Sequence, residues 1–223
     1  MGRVTTVEGS GTVDVALVRS WIEAISSAIG EQREYLTQLD AAIGDADHGV
    51  NMQRGFSAVV DKVATAEGLT PGKTLTTVGT TLISTVGGAA GPLYGTAFRE
   101  AGKALGDAPD VAPKDLVTAL RAGLEGIQRL GAAVEGDKTI VDAYAPALAA
   151  FETEVNGGGS LAAAARAARE AAEEGMRATT PMQAKKGRAS YLGPRSVGHQ
   201  DPGATSTALI FSALEQVVGR SER

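Results

Sequence analysis

The chain contains no cysteine. That excludes disulfide staples and thiolate chemistry, and it fits a reducing compartment without establishing one. Aromatic residues make up only 4% of the 223 positions, so the core has to be built from aliphatic side chains on helices that approach closely rather than from large rings. Basic residues do not outnumber acidic ones: the formal net charge is −5 and the pI about 5.2. No positive field is available to attract a phosphate backbone or an anionic lipid surface, so neither nucleic acid nor membrane is expected as a partner. No run approaches the roughly eighteen consecutive apolar residues that a membrane span requires. The opening "MGRVTTVEGSGT" lacks an apolar signal-peptide segment. Residues 1–12 read as a flexible tail, and the chain as cytoplasmic.

What remains is a single domain over residues 13–219 with an all-α character. Apolar residues recur at helical spacing, as at Leu17, Trp21, Ile25 and Ala28, and again at Met52, Phe56, Val59, Val60 and Val63. Alternation with period two is nearly absent. Prolines after Thr70, Gly91 and Ala112 mark helix starts, where the missing N–H costs nothing. The pattern predicts helices at 13–29, 31–42, 50–66, 71–86, 92–105, 113–130, 138–155, 160–178 and 203–219, with Pro146 kinking the seventh. The alanine-rich stretch 160–174 suits a slim helix packed close against two neighbours. Short connections make successive helices antiparallel, so loops alternate between the two ends of an up-down bundle. The loops after the first, third, fifth and seventh segments are plain connectors. Those after the second, fourth, sixth and eighth, "GDADHGV", "VGGAAGP", "GAAVEGDKT" and "KKGRASYLGPRSVGHQDPG", are chemically unusual and all fall at one rim.

In the first of these, Asp40, Asp45 and Asp47 stand at i, i+5 and i+7. On one continuous helix Asp45 would point about 140° away from Asp40, and Asp47 would lie about 10 Å along the axis. Gly44 and Gly49 are natural helix stoppers, so the chain can curl back over Asp40 and let three hard carboxylates converge. Such a set suits Mg²⁺, which completes its shell with water and phosphate oxygens. The competing reading is a solvated acidic loop with Asp47 as an N-cap. Next in sequence, "HGVNMQRG" opens a helix whose free amides and positive end favour an anion, with His48 or Asn51 as donors to phosphate.

The glycine loop at Gly87, Gly88 and Gly91 lets a ligand approach the backbone, although it lacks the lysine and spacing of a Walker A loop and equally suits a close helix contact. Residues 183–203 form a long loop with Arg188 and Arg195 as forked phosphate donors and "HQDPG" as a turn able to close over a base or ribose. Gly131 and "GDKT" complete the rim, with Asp137 or Lys138 equally readable as a helix cap and a surface charge. The only two histidines, His48 and His199, both lie in these loops, and no serine stands at triad-like spacing from either.

Together "LDAAIGDADHGVNMQRGF", "GGAAGPLYGTAF", "GDKTIVDAYAP" and "KKGRASYLGPRSVGHQDPGATS" resemble the dihydroxyacetone kinase family, in its nucleotide-binding L portion, over about residues 17–215. The resemblance implies an eight-helix antiparallel barrel with ADP or ATP held at one rim by two Mg²⁺ ions, one helix fewer than the pattern counts. Carried over by position, Asp40, Asp45 and Asp47 match the magnesium ligands. His48, Gly49, Val50 and Asn51, then Gly88, Ala89, Ala90 and Gly91, then Gly131, Ile140, Arg188, Asp201, Pro202 and Gly203 match the nucleotide contacts. Ala90 stands where the family usually has serine. The resemblance further implies docking on a K subunit that holds dihydroxyacetone covalently, and recharging by a phosphotransferase-system protein. Arg188 would offset developing charge in the transfer. An ATP-exchanging kinase for another short keto-sugar and a regulatory nucleotide-binding module are the alternatives, and a homodimer is left open.

Overall fold

The computed structural model describes residues 11–221. Nine α-helices carry them: α1 (Val15–Glu31), α2 (Arg33–Ile43), α3 (His48–Thr65), α4 (Pro71–Thr85), α5 (Ala90–Leu105), α6 (Pro113–Gly131), α7 (Val141–Asn156), α8 (Leu161–Ala178) and α9 (Pro202–Ser221). All nine correspond to segments legible in the sequence. The expected tail lies outside the described residues as far as residue 10. Two further features were not foreseen. β1 (Val13–Asp14) pairs antiparallel with β2 (Asp110–Val111), and a 3-10 stretch, Arg188–Ser196, occupies the last rim loop. A two-residue strand has no alternation to read, and its partner is far away in sequence.

Local chemistry starts the helices where expected. Asp14 accepts from the Leu17 amide (2.8 Å), Thr70 from Lys73 (3.2 Å) and Ser160 from Ala163 (3.1 Å), each satisfying an amide that the helix itself leaves unpaired. α7 continues unbroken through Pro146. Because proline has no N–H, the Asp142 carbonyl receives no bond from position 146, and it lies against Gly175 of α8, where any Cβ would come within 3.0 Å of it.

The small residues set the packing. On α8, Ala164, Ala165, Ala168 and Ala172 are fully buried, and the helix touches both α7 and α9. Between α4 and α5, Gly72, Gly79, Gly95 and Gly102 each face the opposite backbone with no room for a side chain. Five of the aromatics pair in the core: Trp21 and Phe98 (ring centroids 6.0 Å apart), Phe56 edge-on to Phe98 (6.2 Å), and Tyr144 edge-on to Phe211 (5.3 Å).

Neighbours in sequence from α3 to α9 are neighbours in space, and α1 touches both α9 and α3, so the contacts run in a closed cycle of eight helices. α2 is the extra one, and it packs on α3, α9 and the 3-10 stretch. Here strict alternation fails. Arg19, near the start of α1, donates to the Ala66 carbonyl just beyond the end of α3 (3.0 Å), while Gly30, near its end, faces Gln53 in the second turn of α3. α1 is therefore antiparallel to α3, and its end lies at the rim where a plain connector on the far side was expected. The reason is local. Gln32 donates its amide to Ala28 (3.1 Å) and accepts from Leu36 (2.9 Å), so it belongs to both helices and no residue is left to reverse the chain. α2 instead crosses the start of α3, touching it at Gly49, where a Cβ would come within 3.0 Å of the Arg33 carbonyl and Thr37. Gly49 lies inside the first turn of α3 as a close-crossing residue, which corrects its reading as a helix stopper.

Candidate functional site

α3, α5, α7 and α9 all begin at one end of the molecule, and the four loops that lead into them enclose a cleft of about 280 Å³. No other cluster of three or more His, Asp or Glu side chains able to hold a metal occurs among the described residues besides the one at its mouth. Asp40, Asp45 and Asp47 each bring a carboxylate oxygen within 4.8 Å of the others. Asp40 comes from the last turn of α2. The turn that brings the other two back over it uses a left-handed residue, but that residue is Ala46 (φ 63°) rather than a glycine. Gly44 has a different task, because a Cβ there would come within 3.0 Å of the Asp40 carboxylate.

Asp40 is mostly buried, and its Oδ2 accepts from the amides of Asp47 (2.9 Å) and His48 (3.2 Å). It thus does for α3 what the competing reading gave to Asp47. Asp47 occupies the N-cap position without a side-chain cap bond, so its carboxylate stays available. A consequence is that α3 spends two of its first amides on Asp40 and offers an anion less than its sequence implied. α9 is similar: Asp201 Oδ2 accepts from the Ala204 amide (2.7 Å). α5 differs, since no side chain caps it, and Gly88 (φ 65°) leads into it with open space on its Cβ side.

Of the residues singled out by sequence, Asp40, Asp45, Asp47, His48, Asn51, Gly88, Ala89, Ala90, Gly131, Ile140, Arg188, Asp201, Pro202 and Gly203 line this cleft. Gly49, Val50 and Gly91 do not. Val50 faces outward, and Gly91 is buried with its Cα against the Val86 carbonyl. His199 and Arg195 are exposed and likewise outside the lining. The His48 ring points inward, with Nε2 2.9 Å from Ser206 Oγ. Burial lowers its pKa against the opposing pull of Asp40 and Asp47, and the Nε2 of the ring is engaged by Ser206. The Asn51 side-chain oxygen accepts from Arg54 (2.7 Å), leaving its amide hydrogens beside Gly87. The Arg188 guanidinium reaches Asp45 Oδ2 (3.0 Å) and is the one cation paired with the trio among the described residues.

Some lining residues carried no usable signal. Ile43, Leu93, Ile127 and Ala133 give the cleft an apolar wall, and in sequence they are ordinary helix-face or loop hydrophobics. Lys138 corrects the reading of a surface charge: it is 1% exposed, its Nζ bonds to backbone carbonyls, and burial lowers its pKa while Asp201 and Asp142 pull the other way. Asp142, also buried, accepts from the amides of Gly136 (2.5 Å) and Thr139 (2.7 Å) and so fixes the loop that carries Lys138. Burial pushes the Asp201 carboxyl up to about 7, opposed by its Ala204 amide bond and by Lys138.

Three clustered carboxylates against a single exposed guanidinium leave an excess of negative charge, and their hard oxygens are the donor type that Mg²⁺ takes. Fold and site together define a predominantly helical domain with three converging carboxylates at the mouth of a half-apolar cleft. The chain belongs to the DAK2 domain family, whose model matches residues 42–216. It is 43% identical to the PEP-dependent dihydroxyacetone kinase ADP-binding subunit DhaL of Escherichia coli, covering 87% of this chain and 93% of that protein. It is 38% identical to the corresponding subunit 1 of Listeria innocua, covering 92% and 98%. A D-erythrulose kinase of Mycolicibacterium smegmatis is 37% identical over 93% of this chain, which spans 36% of that protein. Among solved structures, the dihydroxyacetone kinase from C. freundii in complex with AMP-PNP and Mg²⁺ superposes with a TM-score of 0.70 at 25% identity, covering 97% of this chain and 36% of that one. No helix of the described residues is long and apolar enough to cross a membrane.

Proposed function

We propose that this chain is the nucleotide-binding L subunit of a cytoplasmic, PEP-dependent dihydroxyacetone kinase. It would hold ADP or ATP with Mg²⁺ at the rim cleft and pass the terminal phosphoryl group to dihydroxyacetone carried by a separate K subunit. A phosphotransferase-system protein would recharge it. The observation that carries this reading is the convergence of Asp40, Asp45 and Asp47 within 4.8 Å at the mouth of a cleft bordered by an uncapped helix start. The contact cycle of eight helices is read as the antiparallel barrel that supports this rim.

Asp40, Asp45 and Asp47 would hold the metal, room for two ions being the family expectation. When bound, Mg²⁺ supplies positive charge against the phosphate oxygens, which is most of what phosphoryl transfer asks of a protein site. The open amides at the start of α5 and the Gly87–Gly88 turn suit the phosphates better than α3, whose first amides Asp40 already takes. Backbone donors there would do the work of the hydroxyl that Ala90 lacks. The apolar wall of Ile43, Leu93, Ile127 and Ile140 suits a base, and Arg188, already at the trio, would offset charge on the transferring group.

A partner must bring the acceptor hydroxyl, and the surface has a place for one. The large hydrophobics left exposed among the described residues are Tyr35, Val50, Ile83, Leu130, Val134, Tyr191 and Val197, and every one lies on α2, on the rim turns of α3, α4 and α6, or in the rim loops. Tyr191, at 88% exposure, is the most prominent.

A kinase for another keto-sugar is the second reading, favoured by the erythrulose kinase relative, but this chain spans nearly all of the DhaL subunits and only about a third of that protein. The test is the nucleotide and Mg²⁺ content of the purified, extensively dialysed protein. About one ADP per chain, released by chelator, is expected; loss of all nucleotide on dialysis favours an exchanging kinase, and no Mg²⁺-dependent binding overturns the reading. Phosphoryl transfer to dihydroxyacetone against erythrulose, with K subunit added, separates the substrates. Without a partner, free triose should not be phosphorylated.

A further inference from the structure

We propose that Lys138 is a positioning residue that clasps the base of the long rim loop and so holds Lys186–Ala189 over the cleft. The inference rests on the nucleotide-binding reading of that cleft. Lys138 has a left-handed backbone (φ 63°), a conformation that is strained for a residue carrying a side chain. Its ammonium is buried, which also costs energy unless each donor is used. Two unfavourable features in one residue call for a compensating contact, and the Nζ supplies it. It donates to the carbonyl of Thr179, where α8 ends (2.6 Å), and to the carbonyl of His199, where the loop returns to α9.

The points it joins are the two feet of one loop. Around the clasp, the Gly198 amide donates to the Thr180 carbonyl (2.8 Å) and the Asp201 amide to Thr179 Oγ1 (3.0 Å). On the near side the Lys185 amide donates to the Asp137 carbonyl (3.1 Å), with the two side chains 3.5 Å apart. The loop is therefore fastened to residues 137–138 at its base and again just before Lys186. The segment beyond, Lys186 to Ala189, lines the cleft and carries Arg188 to Asp45. The bonds of the tip are largely internal to the loop, Ser190 to Gly187, Ser196 to Gly193 and the Ala184 amide to Ser196, so the orientation of Arg188 depends on where the feet stand as well as on α2, against which the tip packs. Asp201 and Asp142 offset the ammonium charge, so the clasp is not a bare cation among carbonyls.

The experiment uses the full chain. Lys138→Met keeps the length and removes the donors; Lys138→Gly also relieves the backbone, so any shared loss belongs to the Nζ. Hydrogen exchange across residues 180–200 and the release rate of ADP–Mg²⁺ are measured well below the melting temperature. Both variants should exchange faster in that loop, with α4 and α5 unchanged, and release ADP roughly tenfold faster. In Lys138→Ala, added propylammonium should slow release again, a rescue that a general loss of stability would not show. Wild-type loop exchange together with wild-type release overturns the clasp. If Lys138→Met does not fold, Lys138→Ala carries the exchange measurement with and without propylammonium, and loop exchange that the amine leaves unmoved is equally fatal. Failure of the wild type itself to bind ADP–Mg²⁺ strikes the nucleotide reading, and loop exchange then still decides the clasp.

Discussion

Gly79 in α4 faces the Gly95 carbonyl of α5 so closely that a Cβ would come within 3.0 Å of it, whereas Gly88, in the loop joining the same two helices, would meet nothing within 4 Å. One glycine is fixed by the absence of space and the other by backbone conformation beside empty space. The same division separates the body of the molecule from its rim. In the body, small residues let backbones touch and the buried side chains are overwhelmingly apolar. At the rim lie all the buried aspartate and lysine side chains among the described residues, Asp40, Asp137, Lys138, Asp142 and Asp201, together with the His48 imidazole. Buried charge is expensive and is kept where it orients loops or faces a ligand. Stability should therefore reside in one region and binding in the other, and substitutions can test how cleanly they separate.

The largest effect is expected from Asp45→Asn. Asp45 is partly exposed and its one ion pair is with an exposed arginine, so folding loses little when its charge goes. Mg²⁺-dependent ADP affinity should fall at least a hundredfold, because a metal site loses a charged ligand, while the melting temperature stays within about 1 °C. Calorimetric titration and thermal unfolding on the same sample check both halves. A collapse of the fold would make the trio structural and erase the contrast. Asp40→Asn should do both kinds of damage, since Asp40 also caps α3.

Gly102→Val probes the body. A Cβ at Gly102 would come within 3.0 Å of the Gly72 carbonyl and of Thr76, so the helices must separate. Overpacking of this kind costs about 2–3 kcal/mol, or roughly 4–12 °C in melting temperature for a chain of this size. The folded fraction should bind ADP with unchanged affinity. A parallel loss of affinity would mean that α4–α5 spacing is transmitted to the cleft.

Much of this division is legible in the sequence, and the parts that are not share a physical cause. Helix positions follow from local periodicity and from caps such as Thr70 and Ser160, which act within a turn. The gathering of unusual loops at one rim follows from counting reversals. The crossing of α2 does not, because it depends on Gln32 joining two hydrogen-bond ladders, a matter of one residue's geometry. Nor does the burial of Lys138, whose partners are carbonyls some forty and sixty positions away and leave no trace in side-chain identity. His48 was legible as a rim residue but not as one turned inward, since its partner Ser206 is on α9.

A third test uses pH. Burial raises the Asp201 pKa from the ordinary 3.8 to about 7, so the folded chain holds that proton more tightly than the unfolded one. Its contribution to stability is complete below about pH 4, declines as pH rises through the window to about 7 and is constant above it, with a slope of up to ~1 kcal/mol per pH unit. Asp201→Asn keeps an oxygen for the Ala204 amide and removes the titration. Between pH 4.5 and 7.5 the wild type should therefore lose stability relative to the variant. His48, whose pKa is lowered, acts in the opposite sense in both proteins and cancels in the difference. An equal gap at both pH values would show that Asp201 is already ionised in the fold.

The smallest effect returns to Gly88. Alanine there meets no atom, so nothing is overpacked, and the cost is only that of placing an L-residue at φ 65°, about 1 kcal/mol. If the loop keeps its shape, stability falls by that amount and ADP affinity changes less than threefold, because the methyl group points into open space. If the loop relaxes to escape the strain, stability is nearly preserved and affinity drops by about tenfold instead, as the amides leading into α5 turn away. The two costs are alternatives, since strain relieved by movement is no longer stored. Measuring melting temperature and ADP affinity on Gly88→Ala thus reports how firmly the body holds the rim. Loss of neither would mean that the Gly88 backbone is not needed in its left-handed form.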